Sequence, residues 1–361
     1  MALMYHNCMF NFFKKQPKGT GANIDTRSEQ EKSKDYKFEE LVANTIPVNW
    51  VEKPASEWRK FPIFNQNGSG SCVAQTMAKL MGIMYWLKNG IYVHFSSAHI
   101  YQRRSNRPIG GMAGVEAFNI ARQGVTLEEL APSQNLNDAQ MDAVNVEDYK
   151  QKVGEIFKIG NFLVVPIGDI DTVASIIQTT QKGVMVWFYF KNDEWTTRPT
   201  VKYPELDVRG ATTARHSVTA VDFALVGGKK CLIISDSWGS SYGQAGQRII
   251  DEDFFKARNF FVAYPMNFAF EEGTTKPKYT FSKDLNFEQT DPDIKALQDI
   301  LKYEAFFPVN TNSTGYYGAV TAKAVLAFQQ KYKVASEAEL IQLAGRIVGV
   351  KTREKLNELY G

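Results

Sequence analysis

Acyl transfer at neutral pH needs a nucleophile and a base within reach of it, and this chain offers few of either. It has three cysteines, Cys8, Cys72 and Cys231, and four histidines, His6, His94, His99 and His216. Cys72 opens a stretch in which Val73, Met77, Leu80, Met81, Met84 and Leu87 recur at spacings of three and four, one face of a helix. A thiol at a helix N-terminus meets the positive end of the backbone dipole, which favours the thiolate. Gly68 and Gly70 let another chain come close to the backbone there, and N–H groups at that point can face a developing oxyanion. Ser71 is a suitable N-cap. A cysteine on an apolar helix also reads as a small buried hydrophobe, so the chemistry depends on a base.

His216 is the candidate. Residues 217–226, a glycine turn at Gly227-Gly228-Lys229-Lys230 and residues 231–238 read as a β-hairpin. Antiparallel pairing about that turn brings His216 and Asp236 near each other. Asp236 then accepts the second ring N–H, which fixes the tautomer and favours the imidazolium. The predicted set is Cys72 as nucleophile, His216 as base and Asp236 as orienter. His94 and His99 resemble helix-entry residues, and Cys231, in an apolar strand, reads as an inert thiol. Three cysteines make no disulfide framework and no Cys-x-x-Cys pair occurs, so neither a metal nor a cofactor is expected.

The positioning elements are helical early and strand-rich late. Helical patterns cover residues 71–87, 96–103 and 114–122, and β-rich apolar runs cover 162–165, 184–190 and 231–234. This is an α+β arrangement. Residues 1–45 read as a flexible leader, 46–268 as the main domain and 269–282 as a polar linker. Residues 283–361 read as a small helical module, with stripes at Ile294, Leu297 and Leu301 and at Val325, Phe328 and Tyr332, and a last helix capped by Thr352. With 44% apolar and 22% charged residues the composition is that of a globular protein. A net charge of +3 does not suit nucleic acid as main partner. No apolar run approaches the ~18 residues of a membrane span. The first residues lack a basic n-region and end in Lys14-Lys15, so no secretory signal is expected.

Gln66-Asn67-Gly68-Ser69-Gly70-Ser71-Cys72 resembles the nucleophile segment of the papain-like cysteine peptidases, where a Gln six residues before the Cys donates to the oxyanion hole; Gln66 holds that position. Arg215-His216-Ser217-Val218 resembles the family's His strand. Asp236-Ser237-Trp238-Gly239-Ser240-Ser241-Tyr242-Gly243 resembles its Asn-Ser-Trp-Gly segment, and Gly246-Gln247-Arg248-Ile249 fits the strand that follows. Phe95-Ser96-Ser97, Gly110-Gly111, Gly124-Val125 and Glu128 match its interior helix and substrate-facing glycine loop. The resemblance spans roughly residues 45–265. It implies a two-lobed fold, a helical lobe plus an antiparallel β lobe, that hydrolyses peptide bonds through a Cys thioester. It also implies that Trp238 shields the His216–Asp236 contact, that Gly111 pairs with substrate backbone, that Gly70 lines the approach and that Met112 lines a pocket. The chain has Asp236 where the family usually has Asn, and a carboxylate raises the His216 pKa more than an amide does. Val73 replaces a usual Trp, and Ser69 stands where a disulfide cysteine is common. A leader of about 45 residues is shorter than an inhibitory propeptide, so zymogen control of the usual kind is not expected.

Asp293-Ile294-Lys295-Ala296-Leu297-Gln298, Thr314-Gly315-Tyr316-Tyr317-Gly318, Thr321-Ala322-Lys323-Ala324-Val325, Phe328-Gln329 and Val348-Gly349-Val350-Lys351-Thr352 resemble a peptidoglycan-binding-like three-helix domain. That implies peptidoglycan as a second partner, a bacterial or phage protein, and a location at the cell wall, outside the cell or on a virion. Protein is the expected substrate. The alternatives are a cell-wall peptide hydrolase of the endolysin kind and a catalytically silent wall-binding or virion component.

Overall fold

The computed structural model describes residues 21–41, 46–191, 195, 200–201, 214–268, 276–304, 306–307 and 313–361. Cys8, His6, the remainder of the leader and residues 269–275 of the expected linker lie outside the described residues.

The Cys72 helix runs Cys72–Asn89 and stops at Gly90, whose φ of 73° is the left-handed C-cap that glycine adopts readily. Its apolar residues are buried from Cys72 to Met84. They pack with Ile100 of the Ser97–Tyr101 helix and Phe118 of the Gly114–Gln123 helix into the core of a helical lobe.

Strands β1 (Tyr36–Lys37), β2 (Phe162–Val164), β3 (Val184–Phe190), β4 (Thr200–Val201), β5 (Ala214–Val226), β6 (Lys229–Ser235), β7 (Gln247–Asp251) and β8 (Asn259–Pro265) form one sheet in the order β1-β2-β8-β3-β5-β6-β7-β4. Pairing is antiparallel except at the edges, where β1 runs parallel to β2 and β4 to β7. The helices Ile170–Thr180 and Glu252–Arg258 bury Val173, Ile177, Phe254 and Phe255 with Val218, Leu232 and Ile234 of the sheet. The β5–β6 turn is tighter than expected. Gly227 and Gly228, at φ 61° and 77°, make it alone, and Lys229 and Lys230 already belong to β6. The resulting register sets Thr219 opposite Ser235, so Asp236 falls beside the His216 end of β5.

The reading of the leader as flexible is corrected for residues 21–41. Ser28 caps a turn of helix at Glu29–Lys32 with a capping box, and Tyr36 and Phe38 insert into the sheet's core. Arg27 ties the segment together through Asp25 at 2.8 Å and Asp35 at 2.5 Å. The two aromatic anchors stand among charged neighbours, which hides them in a composition-based reading.

The C-terminal module holds the helices Pro292–Tyr303, Ala319–Lys331 and Val350–Tyr360, a short helix Glu337–Leu343, and a two-stranded ribbon of β9 (Leu285–Asn286) with β10 (Ile347–Val348). Its second and third long helices are entered in the same way. Gln298 Nε2 donates to Thr321 Oγ1 and the Tyr316 carbonyl, and Gln329 Nε2 to Thr352 Oγ1 and the Ile347 carbonyl. The two glutamines are as far apart as the two threonines, which marks an internal repeat. The module starts earlier than the expected boundary at 283. Phe281 is buried and bonded to Asn357, and Tyr279 N–H donates to the Tyr360 carbonyl. The module also grips the leader. Lys323 pairs with Glu40 at 2.5 Å and donates to the Asp35 carbonyl at 3.0 Å, and Tyr36 Oη donates to the Phe306 carbonyl at 2.7 Å.

Candidate active site

Cys72 is the first residue of its helix and is wholly buried. The segment before it is fastened to the other lobe. Gln66 N–H donates to the Ser237 carbonyl at 2.8 Å and Gly239 N–H to the Phe64 carbonyl at 3.0 Å, so Phe64–Gln66 lies antiparallel along residues 237–239. The chain then turns through Asn67 and Gly68, both with left-handed φ. Ser71 stands at the N-cap but does not cap. Its hydroxyl bonds Ser69 Oγ at 2.7 Å instead. The Gln66 amide is fixed at both ends: Ser237 Oγ donates to Oε1 and Nε2 donates to the Ser69 carbonyl, each at 2.6 Å. An amide nitrogen carries two hydrogens, so one bond leaves Gln66 a second donor at the mouth of the Cys72 helix.

His216 is fully buried with its ring between two partners. Nε2 bonds Asp236 Oδ1 at 2.8 Å. Nδ1 has no hydrogen-bond partner among the described residues, and the Cys72 thiol lies close enough to the ring to help it keep its proton. Phe188, Phe190, Trp195 and Trp238 wall the imidazole in, the Trp238 centroid 5.5 Å away. Burial alone would push the ring toward its neutral form. The Asp236 charge and hydrogen bond, joined by the thiol, outweigh it and raise the imidazole from 6.5 to about 9. Asp236 is itself held well below the carboxylate range, against the effect of burial, by His216 and Arg248.

The sign of this shift makes a prediction. A raised pKa means the folded chain keeps the ring proton longer than the unfolded one. Its stabilising contribution is therefore full below about pH 6.5 and is lost as pH rises through about 9. The proton is also the one a leaving amine must receive. Alkylation of Cys72 by an epoxide, whose opened oxygen must take up a proton, and any hydrolysis by it are expected to fall away on an alkaline limb centred near pH 9. A limb near the free imidazole value in a pH series of alkylation rates would show that Asp236 does not tune the ring.

The leader crosses the mouth of this site. Met112 N–H donates to the Gly21 carbonyl at 2.9 Å and Asn23 N–H to the Met112 carbonyl at 3.0 Å, a parallel bridge that buries Ala22 completely. Gly21 fits against the thiol only because it lacks a side chain: a Cβ there would lie 3.0 Å from Cys72 Sγ and 1.9 Å from the Gly70 oxygen. Gly70 and Gly111 line the same groove. A Cβ on Gly111 would stand 2.9 Å from the Gly21 oxygen, and one on Gly70 would stand 2.7 Å from Gly111 N. Gly111 N–H itself donates to Tyr101 Oη at 3.0 Å, and it is Met112 that pairs with the leader.

Comparison with known proteins fits this geometry. Residues 13–255 match the papain family of cysteine proteases. The chain belongs to the papain family. Caricain from Carica papaya is 26% identical over 231 residues, 63% of this chain and 61% of caricain. Chymopapain from the same plant is 26% identical over 239 residues, 65% and 62% of the two chains. The chain thus spans under two thirds of the length of these relatives. Among solved structures, xylellain, a cysteine protease from Xylella fastidiosa, superposes with a TM-score of 0.55 at 17% identity, covering 70% of this chain and 98% of xylellain, which shows a shared fold. Residues 290–336 match a putative peptidoglycan-binding domain.

In this papain-family site the structure brings together Cys72, His216, Asp236, Gln66, Gly70, Gly111 and Trp238. His94 and His99 are elsewhere. His94 stacks on Phe64, and His99 Nδ1 accepts the Thr126 N–H at 2.9 Å, with burial pulling its pKa to about 4. Among the described residues no group of side chains could hold a metal ion, and no helix is long and apolar enough to cross a membrane. Sequence reasoning missed Ser237, Lys79, Trp195, Arg248 and the leader's Gly21. Lys79 had a signal, a cation two turns along from Cys72 on the same side of the helix. It donates to Ser235 Oγ at 2.7 Å and the Asp236 carbonyl at 3.1 Å, and burial lowers its pKa to about 7 against the pull of Asp236.

Proposed function

We propose that the chain hydrolyses peptide bonds through a thioester on Cys72. The observation that carries this is the His216 ring held between a carboxylate and the thiol. Cys72 Sγ attacks the carbonyl carbon, His216 holds the displaced proton and returns it to the leaving amine, and water then attacks the thioester. Gln66 Nε2 and the Cys72 backbone N–H face the oxyanion, a donor of that kind contributing about 3–4 kcal/mol to the transition state. Trp238 keeps water from the His216–Asp236 bond. The backbone hydrogen bonds between leader and Met112 support an extended polypeptide as substrate, since the groove reads main chain rather than one side chain. They also support a self-blocked resting state. The Gly21 carbonyl accepts from Met112 N–H, so it is engaged in the groove wall. The C-terminal module, bound to peptidoglycan, would hold the enzyme at the wall and raise its local concentration there.

The test is a thiol-reactive epoxide on a Gly21→Val chain, whose leader cannot close on the thiol. A single adduct on Cys72 is expected, together with loss of casein hydrolysis. Cys231 is expected to stay unmodified, because burial, with the Asp251 charge, pushes its thiol up to about 12. Hydrolysis that survives full modification of Cys72 would remove the thiol from the mechanism.

A further inference from the structure

The papain family usually carries a neutral amide where this chain has Asp236. A buried carboxylate is a costly replacement unless its charge is met. Asp236 is 1% exposed and uses both oxygens. Oδ1 accepts from His216 Nε2 at 2.8 Å and from Ser237 N–H at 2.7 Å. Oδ2 accepts from Arg248 Nε at 2.8 Å and from Trp195 Nε1 at 2.9 Å. Arg248 is fully buried on β7, opposite Ile234 of β6. Its guanidinium lies over the Trp195 ring at 4.5 Å and the Trp238 ring at 5.6 Å, and it also donates to the Trp195 carbonyl. The flat cation is thus clamped between two indoles with one edge on the carboxylate, a geometry a flexible ammonium would not hold.

We propose that Arg248 is a positioning residue: it occupies one oxygen of Asp236 and offsets its charge, so that the other oxygen serves His216 as the family's amide would. Among the described residues, the charged and titratable groups facing Asp236 are His216 from β5, Arg248 from β7 and Lys79 from the Cys72 helix, with Cys72 beyond the ring. In the proposed ion pair the charges of thiolate, imidazolium, carboxylate and guanidinium sum to zero. Removing the guanidinium leaves Asp236 with His216 as its nearest cation, which over-stabilises the imidazolium. Removing the carboxylate leaves a buried guanidinium pressing on the ring, which disfavours the imidazolium. Removing both restores a neutral acceptor beside a neutral neighbour. The inference rests on the peptidase reading for its kinetic consequences, but the coupling between the two side chains does not.

The experiment compares Asp236→Asn, Arg248→Met and the double variant, each in a Gly21→Val background for hydrolysis and alkylation and each in the native background for thermal unfolding. Asp236→Asn is expected to lose activity and to move the alkaline limb of alkylation to lower pH. Arg248→Met is expected to move that limb to higher pH. The double variant is expected to be at least about tenfold more active than Asp236→Asn and to melt above it, the coupling expected of neighbours in one buried network. A purely structural arginine would give additive losses and an unmoved limb. The proposal is overturned if the double variant is no more active and no more stable than Asp236→Asn, or if it fails to fold where Asp236→Asn folds. If the Gly21→Val chain shows no hydrolysis at all, the peptidase reading fails, while the melting comparison still decides the pair.

Discussion

His216→Ala is expected to slow peptide hydrolysis by roughly 10³-fold or more, the loss seen when a residue acting as part of a nucleophile–base unit is removed. The ring does two jobs at once. In the proposed mechanism it holds the proton that Cys72 gives up on attack, and it hands that proton to the leaving amine. Asp236 and Lys79 remain in the variant but neither faces the thiol, since Asp236 reaches it only through the ring and Lys79 is bonded to Ser235 and the Asp236 carbonyl. With Cys72 and His216 acting as one unit in that mechanism, Cys72→Ala and the double variant are expected to be no slower than His216→Ala within error. Steady-state rates on one peptide substrate, with folding checked by circular dichroism, measure this. A His216→Ala chain that keeps a tenth of the wild-type rate would place the base elsewhere, and an additive double variant would show that the two side chains act separately.

The candidate site residues were legible because each sits on a local signal. Cys72 follows a glycine-rich turn and opens an apolar helical face. His216 and Asp236 flank a hairpin whose register two glycines determine. Arg248 was not legible in the same way. Its meeting with Asp236 depends on β6 pairing with β7 after the loop of residues 237–246, and no short-range pattern specifies where that loop returns. Trp195 reaches Asp236 from a segment between β3 and β5 for a similar reason. The module's helices followed from their apolar stripes, but its start at Tyr279 did not, because a polar stretch leading into a domain looks the same as a linker. The leader was misread for a physical reason too. Gly-Thr-Gly and a run of charges describe a chain that cannot fold alone, and this one is ordered by surfaces contributed from elsewhere. Tyr36 is held by the sheet and by Phe306 of the module, and Gly21 by Met112.

That borrowed order makes the leader the most easily perturbed part of the site. Gly21→Val is expected to raise hydrolysis of a peptide substrate at least about tenfold over the native chain. The inserted Cβ would stand 1.9 Å from the Gly70 oxygen and 2.5 Å from its carbonyl carbon, both backbone atoms that cannot rotate aside. Overpacking a fitted site costs about 1–3 kcal/mol even where side chains can adjust, and a backbone clash has no such relief. Against it stand two hydrogen bonds with Met112, worth about 1 kcal/mol each, and the burial of the small Ala22. The cleft end of the leader should therefore lift away. The far end, tied by Lys323 to Glu40 and by Tyr36 to Phe306, should stay docked. Two measurements separate this from general loosening: Cys72 alkylation should accelerate in parallel with hydrolysis, and amide exchange should rise at Met112 and Asn23 but not at Tyr36. If hydrolysis is unchanged or lower in a folded Gly21→Val chain, the leader is not what closes the cleft. If exchange rises throughout residues 21–41, the module does not hold the leader independently of its seat on the thiol.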